Sequence, residues 1–297
     1  MERFKFLKII LILGVFLIVS FLLANSFNKI DLSDKIVFIP LKGVIVSGEN
    51  GGILGEDVTY STDFINYLNK AKDDPTIKAV IIEIDSPGGT ALGSKEIADN
   101  IKEFNKPIVG WIRSVGASGA YWAASATDVI IADPISITGS IGVISSYLEY
   151  EGLMRKYGVE YERLVTGKYK DLGSPYKNLT VEERNLLLKK LNIIHKVFVD
   201  DVNKNRKKDL SKYSTGEFFL GLEAKEIGLI DHLGNKETAI SIAKNLSKLS
   251  EAKTVTFKTK RGFLSSIDKY FSRFSYYIGL GISQGLTNTR NDFVINT

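Results

Sequence analysis

Residues 9–24, IILILGVFLIVSFLLA, form an uncharged apolar run that Phe4, Phe6, Leu7 and Phe27 extend in both directions. About 20 apolar residues span a bilayer, a length this run reaches only with its flanks counted. Arg3, Lys5 and Lys8 stand before it against the single Glu2. That positive flank predicts a cytoplasmic N-terminus, with everything after the run on the far side of the membrane. A cleaved signal peptide is the alternative, but Leu22-Leu23-Ala24 is a poor small-x-small cleavage site. An uncleaved anchor is therefore expected.

From Lys35 the pattern changes to short apolar runs alternating with amphipathic stretches. Ile36–Val46 reads as a strand or hairpin, and Phe64, Ile65, Leu68 and Ala71 give Asp63–Ala71 helical spacing. Ala79–Ile84 (AVIIEI) predicts a strand buried on both faces, and Ser94–Phe104 a helix. Val129–Ala132 reads as a strand, Glu149–Tyr157 as a helix and Tyr161–Val165 as a strand. Thr180 and Glu183 make a capping box that opens a long helix through Val202. Strands alternating with helices imply βα crossovers and a mainly parallel sheet. Three units result: an N-terminal segment and anchor over 1–28, an α/β domain over 29–255, and a tail over 256–297. In the tail, Phe263, Ile267, Tyr270, Phe271, Phe274, Tyr277 and Ile278 recur at helical spacing, with Lys269 and Arg273 between them. That pattern suits an amphipathic helix at a membrane surface or subunit contact, or packing on the core; the last dozen residues read as flexible.

Composition narrows the chemistry. The 297 residues carry a net charge of +5, interleaved along the chain and without the basic, aromatic-rich clusters that would suggest nucleic acid. The absence of cysteine excludes thiolate catalysis, Cys-ligated zinc and disulfides, and two histidines are too few for a His-rich metal site. No cofactor or metal is expected.

The stretch Pro107–Ser125 (PIVGWIRSVGASGAYWAAS) runs from an apolar strand into a helix of small residues, with Ser118 at the junction between Gly116-Ala117 and Gly119-Ala120. Small neighbours at a strand-to-helix turn suit a nucleophilic serine whose next backbone N–H helps to bind an oxyanion, and equally suit close helix packing. Three other stretches bear on it. Asp85-Ser86-Pro87-Gly88-Gly89-Thr90 follows the buried strand and can present backbone N–H groups. Thr138–Val143 (TGSIGV) is a small hydroxyl-bearing turn, and Gly167–Pro175 (GKYKDLGSP) is a compact loop carrying lysine. A serine nucleophile needs a base, usually His or, in some enzymes, Lys. His195 lies on or beside an apolar helical stripe and His232 at a strand end, so both read as structural. A lysine can serve if burial brings its pKa down from about 10.4 toward 7.

In this order and spacing, SPGGT, ASGAYWAAS, TGSIGV and GKYKDLGSP resemble the signal peptide peptidase A family, in its short bacterial and archaeal form. Gly221–Asp231 (GLEAKEIGLID) resembles the family's C-terminal element, shared more loosely with the Clp protease and crotonase folds. The resemblance covers roughly residues 35–250 plus the anchor. It implies a crotonase/Clp-protease-like βα spiral, with 29–255 as the peptidase domain. It also implies Ser118 as nucleophile, Lys170 as general base and Ser140 as the hydroxyl that orients the lysine amine. The backbone N–H groups of Gly89 and Gly119 become the oxyanion hole. Signal peptides and other apolar peptides are the implied substrates, at the cell membrane, cleaved by a homo-oligomeric ring of about eight subunits whose dyads are shared between neighbours. Ala120 stands where a second glycine is usual and Asp85 where asparagine is frequent, which bears on the specificity pocket. The rival readings are a related membrane protease that clips one membrane-protein partner, a crotonase-like acyl-CoA enzyme, and an idle scaffold.

Overall fold

The computed structural model describes residues 13, 14, 16, 33–49 and 58–257. The apolar run falls almost wholly outside them, as does the tail beyond Phe257. Among the described residues no helix is long and apolar enough to cross a membrane.

Nine strands form one sheet: β1 (Lys35–Val46), β2 (Val58–Tyr60), β3 (Ile77–Gly89), β4 (Ile108–Ala117), β5 (Val129–Ala132), β6 (Ile137–Gly139), β7 (Phe218–Leu220), β8 (His232–Leu233) and β9 (Lys253–Thr256). The central order is β2-β1-β3-β4-β5-β8, every pairing parallel, and among the described residues only the β6–β7 pair is antiparallel. The helices between them are α1 (Ser61–Asp73), α2 (Ala91–Lys102), α3 (Gly119–Ser125), α4 (Glu151–Lys156), α5 (Val181–Arg206), α6 (Gly221–Ile227) and α7 (Lys236–Leu246). A mixed α/β fold with a mainly parallel sheet is thus what the alternation of strands and helices produces.

Strand periodicity divides the core in two. Val37, Ile39 and Leu41 of β1, with Val80, Ile82 and Ile84 of β3, point to the face covered by α1, α2 and α3. Ile36, Phe38, Ala79, Ile81, Val109, Trp111 and Ile131 point the other way, toward Ala239 and Ala243 of α7. The AVIIEI run is apolar at consecutive positions because helices cover both of its faces. All seven residues of α3 are buried, which explains a helix made of Gly, Ala, Tyr, Trp and Ser with no charge.

Long strands change partners part-way. β1 pairs with β9 over Lys35–Phe38 and with β2 over Val44–Val46, while its pairing with β3 shifts register between Lys42 and Val44. Gly43 in that gap has φ 66°, a left-handed conformation suited to glycine. β4 pairs with β5 over Val109–Ile112 and with β6 over Val115–Ala117. These bulges bend the sheet and carry the strand ends away from the main layer.

Ile36–Val46 is one strand and not a hairpin. Tyr161–Val165 forms no strand: its residues are mostly exposed and no strand among the described residues pairs with it. The helix read over Glu149–Tyr157 is shorter, Glu151–Lys156. The capping box at Thr180 is present, and its helix continues beyond Val202 to Arg206.

A half-buried ion pair anchors the end of α5. Arg206 donates from both terminal nitrogens to Asp231, at 2.6 and 3.0 Å, and Asp231 also accepts from the Ile130 amide at 2.7 Å. Burial alone would push the Asp231 carboxyl up, but these donors hold it below the usual carboxylate range. Removing one partner strands a charge in a poorly solvated place. Asp231→Ala is therefore expected to lower unfolding free energy by about 2–3 kcal/mol, less than the roughly 3–5 kcal/mol for a fully buried broken pair because Asp231 is a third exposed. Urea unfolding followed by circular dichroism measures this; an unchanged midpoint would show that the pair contributes nothing.

Candidate active site

The bent ends of β1, β3, β4 and β6 converge at one place, where Val44 pairs with Gly88, Ile45 with Gly89, Ser86 with Gly116, and Ala117 with Gly139. Ligand sites of parallel sheets lie beyond the carboxyl ends of the strands, and this is such an end. Ser118 is the next residue after β4 and Ser140 the next after β6, so the Ala117–Gly139 register sets the two serines side by side. The Ser118 amide donates to the Gly139 carbonyl at 2.8 Å, which fixes that neighbourhood. Ser118 has φ 52° and Ser140 φ 50°, left-handed conformations that a residue with a Cβ adopts only at a cost. At Ser118 the reversal turns β4 into α3 and leaves the hydroxyl at the helix start, with the side chain partly open to solvent.

Three glycines make the convergence possible. A Cβ at Gly88 would lie 2.6 Å from the Gly119 nitrogen and 3.0 Å from the Ser118 Cβ. One at Gly89 would lie 1.9 Å from the Ile45 oxygen, and one at Gly119 would lie 2.0 Å from Ser94 Oγ and 3.4 Å from the Gly89 nitrogen. The Gly89 and Gly119 peptides are therefore immediate neighbours beside Ser118. Ser86 secures the turn: its buried hydroxyl donates to the Gly43 carbonyl at 2.5 Å and accepts from the Gly88 amide at 3.1 Å. Thr138, also buried, donates to the Gly116 carbonyl at 2.9 Å. Both hydroxyls lie in stretches read for their glycines and for Ser140; sequence gave no sign that they tie adjacent strand ends together.

Behind Ser118, α3 is clamped to the rest of the fold. Tyr121 is fully buried and donates to the Leu229 carbonyl at 2.8 Å, its hydroxyl pushed up in pKa by burial. Trp122 stacks on Phe198 of α5 with ring centroids 4.4 Å apart and donates to Asp201 at 3.2 Å. The nucleophile candidate thus sits on an element with little freedom. Of the two histidines, His195 is partly buried and His232 is exposed in β8, and neither is bonded to Ser118 or Ser140.

Lys170 lies elsewhere. After Ile141, no residue is buried until Glu183, so the chain from Gly142 to Glu182 forms an arm with no core of its own. Lys170 is exposed on it and makes no side-chain hydrogen bond or ion pair to Ser118 or Ser140 within this chain. Its loop is nonetheless braced. Arg163 donates to Asp171 through two nitrogens, at 2.6 and 2.8 Å. Lys177 bridges Asp171 at 3.4 Å and Glu183 at 2.5 Å, while Lys168 pairs with Glu182 at 2.6 Å. The Arg163 hydrogen bond holds the Asp171 carboxyl well below the usual range, and Lys177 and Lys168 do the same for Glu183 and Glu182. Several large apolar side chains of the arm face solvent, among them Ile144 (90 % exposed), Leu164 (85 %), Val181 (77 %) and Leu148 (70 %). No group of three or more His, Cys, Asp or Glu suited to a metal occurs among the described residues.

The chain as a whole is similar in sequence to known proteins. Residues 100–250 match peptidase family S49. A protein of Methanocaldococcus jannaschii named as a protease is 33 % identical over 297 residues, covering 95 % of this chain and 94 % of that one. A protein of Enterococcus faecium named as a signal peptide peptidase is 32 % identical over 271 residues, covering 88 % of this chain and 76 % of its own length. Protease 4 of Haemophilus influenzae is 30 % identical over 230 residues, 75 % of this chain and 37 % of that protein. The chain belongs to peptidase family S49 and is a serine protease similar to signal peptide peptidases.

Proposed function

We propose that this protein is a membrane-anchored Ser/Lys peptidase that degrades signal peptides and other apolar peptides at the extracytoplasmic face of the cell membrane. The observation that carries the reading is the pair of left-handed serines, Ser118 and Ser140, at the ends of two paired strands, with the Gly89 and Gly119 peptides beside Ser118. The uncharged run over 9–24 with its basic flank supports the anchor and the orientation. In the resulting mechanism Ser118 Oγ attacks the scissile carbonyl carbon and its proton passes to the Lys170 amine. The carbonyl oxygen, now anionic, is bound by the Gly89 and Gly119 N–H groups. Collapse breaks the C–N bond, the lysine returns the proton to the leaving amine, and water, deprotonated by the same lysine, releases the acyl group.

Lys170 reaches Ser118 of a neighbouring subunit in this reading. The arm leaves the core beside Ser118 yet buries nothing of its own, and it offers apolar side chains to another surface. A second copy of this chain fits, because its contact would cover the arm and remove water from the lysine, as a neutral base requires.

Ser118→Ala and Lys170→Ala are each expected to lower peptide hydrolysis by about 10⁴-fold or more, and Ser140→Ala by about 10–100-fold. Subunits carrying Ser118→Ala, co-expressed with subunits carrying Lys170→Ala, should recover activity in mixed assemblies. Mixed assemblies that form and stay dead would place both groups in one subunit.

The pH dependence separates the base from the brace. Asp171 has a depressed native pKa, so its contribution is present above the ordinary value of about 3.9 and is lost only as pH falls through the lower native one. The Asp171 brace is therefore unchanged through neutrality, so a rise in rate there reports a group other than Asp171. Asp171→Asn should lower the alkaline plateau without moving the midpoint of that rise. A shifted midpoint would mean that Asp171 tunes the base directly.

A further inference from the structure

Ser94, in α2, is fully buried, and its Oγ has no hydrogen-bond partner. A buried hydroxyl left unpaired costs about 1–3 kcal/mol, so such a group needs a reason. Its partner is within easy reach: the Ser94 amide already donates to the Thr90 carbonyl at 3.0 Å, the group to which a helical serine commonly turns its hydroxyl. Other hydroxyls in this chain do turn that way. Ser125 donates to the Trp122 carbonyl at 2.7 Å, Thr127 to Ala124 at 2.8 Å and Ser247 to Ala243 at 2.6 Å. Ser94 instead aims its oxygen at Gly119, where a Cβ would meet it at 2.0 Å, on the side where the Gly89 nitrogen would lie 3.4 Å from that same Cβ.

The free hydroxyl is therefore packed against Gly119, whose peptide with that of Gly89 is assigned to the oxyanion. We propose that Ser94 is a positioning residue of this site, a buried O–H dipole that acts through Gly119 and turns its positive end toward the oxygen when charge develops there. The inference rests on the Ser118–Gly89–Gly119 reading. A hydroxyl bonded to the Thr90 carbonyl would have its dipole committed; an unpaired one is free to orient, and inside a dry, closely packed site an oriented dipole acts with little screening. Because Ser94 is buried, it touches no substrate, and its effect falls on the transition state more than on substrate binding.

The test uses the full chain in detergent and compares Ser94→Ala, Ser94→Cys and Ser118→Ala by peptide hydrolysis and thermal unfolding. Ser94→Ala is expected to lower kcat about 10-fold with KM within twofold, while Tm holds or rises because an unpaired polar group has gone. Ser94→Cys fills the same space with a weaker dipole and should fall between wild type and Ser94→Ala. Unchanged kcat in Ser94→Ala overturns the proposal, as does full recovery by Ser94→Cys, which would make the side chain a filler. A kcat loss matched by a fall in Tm would also overturn it, by making the role structural. Ser118→Ala tells the two failures apart: if it stays active the site assignment itself is wrong, and if it is dead only the role of Ser94 is at issue.

Discussion

Two backbones that meet with no side chain between them set the geometry on which the rest depends. Gly88 lies so close to the Ser118–Gly119 junction that a Cβ would stand 2.6 Å from the Gly119 nitrogen, and Gly89 is tighter still against Ile45, at 1.9 Å. Contact at that range joins the end of β3 to the start of α3 and to β1 at once. A flat sheet would keep these strand ends a full strand spacing apart. The register shifts in β1 and β3, with Gly43 in the left-handed region, supply the bend that closes the gap. Bulges, glycine pairs and the all-buried helix α3 are one device seen at three points along the chain.

That device makes the serine side of the site rigid and leaves the lysine side unfinished. Ser118 is held from beneath by α3, which Tyr121 and Trp122 lock to Leu229 and α5. Lys170 rests on a loop that ion pairs shape but no core covers. Exposed ion pairs contribute little to stability, yet several sharing Asp171 and Glu183 can select one loop conformation. A lysine amine in water stays charged and is no base. The chemistry proposed here therefore demands a surface that this chain alone does not provide, and the apolar arm is where that surface would attach.

Much of the core was legible because it obeys local periods. AVIIEI announces a strand covered on both faces, and Thr180 with Glu183 announces the start of α5 by a mechanism confined to four residues. What escaped is non-local. Tyr161–Val165 has the alternation of a strand, but a strand exists only by pairing, and no partner lies beside it. β6 and β7, three residues each, are too short to show a period; β7 is defined by its pairing with β6, and β6 by its pairing with β4 and β7. Lys170 is one of 39 Lys and Arg residues and has no local mark of function; the resemblance singled it out. Ser94 reads as an ordinary small residue near a helix start, and only its approach to Gly119 distinguishes it.

Backbone strain offers a route to the site that owes nothing to resemblance. Among the described residues, four that are not glycine have positive φ: Ser118, Ser140, Lys207 and Lys248. Lys207 caps the end of α5 and Lys248 follows the end of α7, where a left-handed residue is the common way to stop a helix. Ser118 and Ser140 end strands, not helices, and strand register makes them neighbours. Glycine would relieve the strain at either position, worth on the order of 1 kcal/mol, and glycine already stands at Gly88 and Gly139 where no side chain is needed. A hydroxyl at both positions, where glycine would be more stable, supports the roles proposed for Ser118 and Ser140.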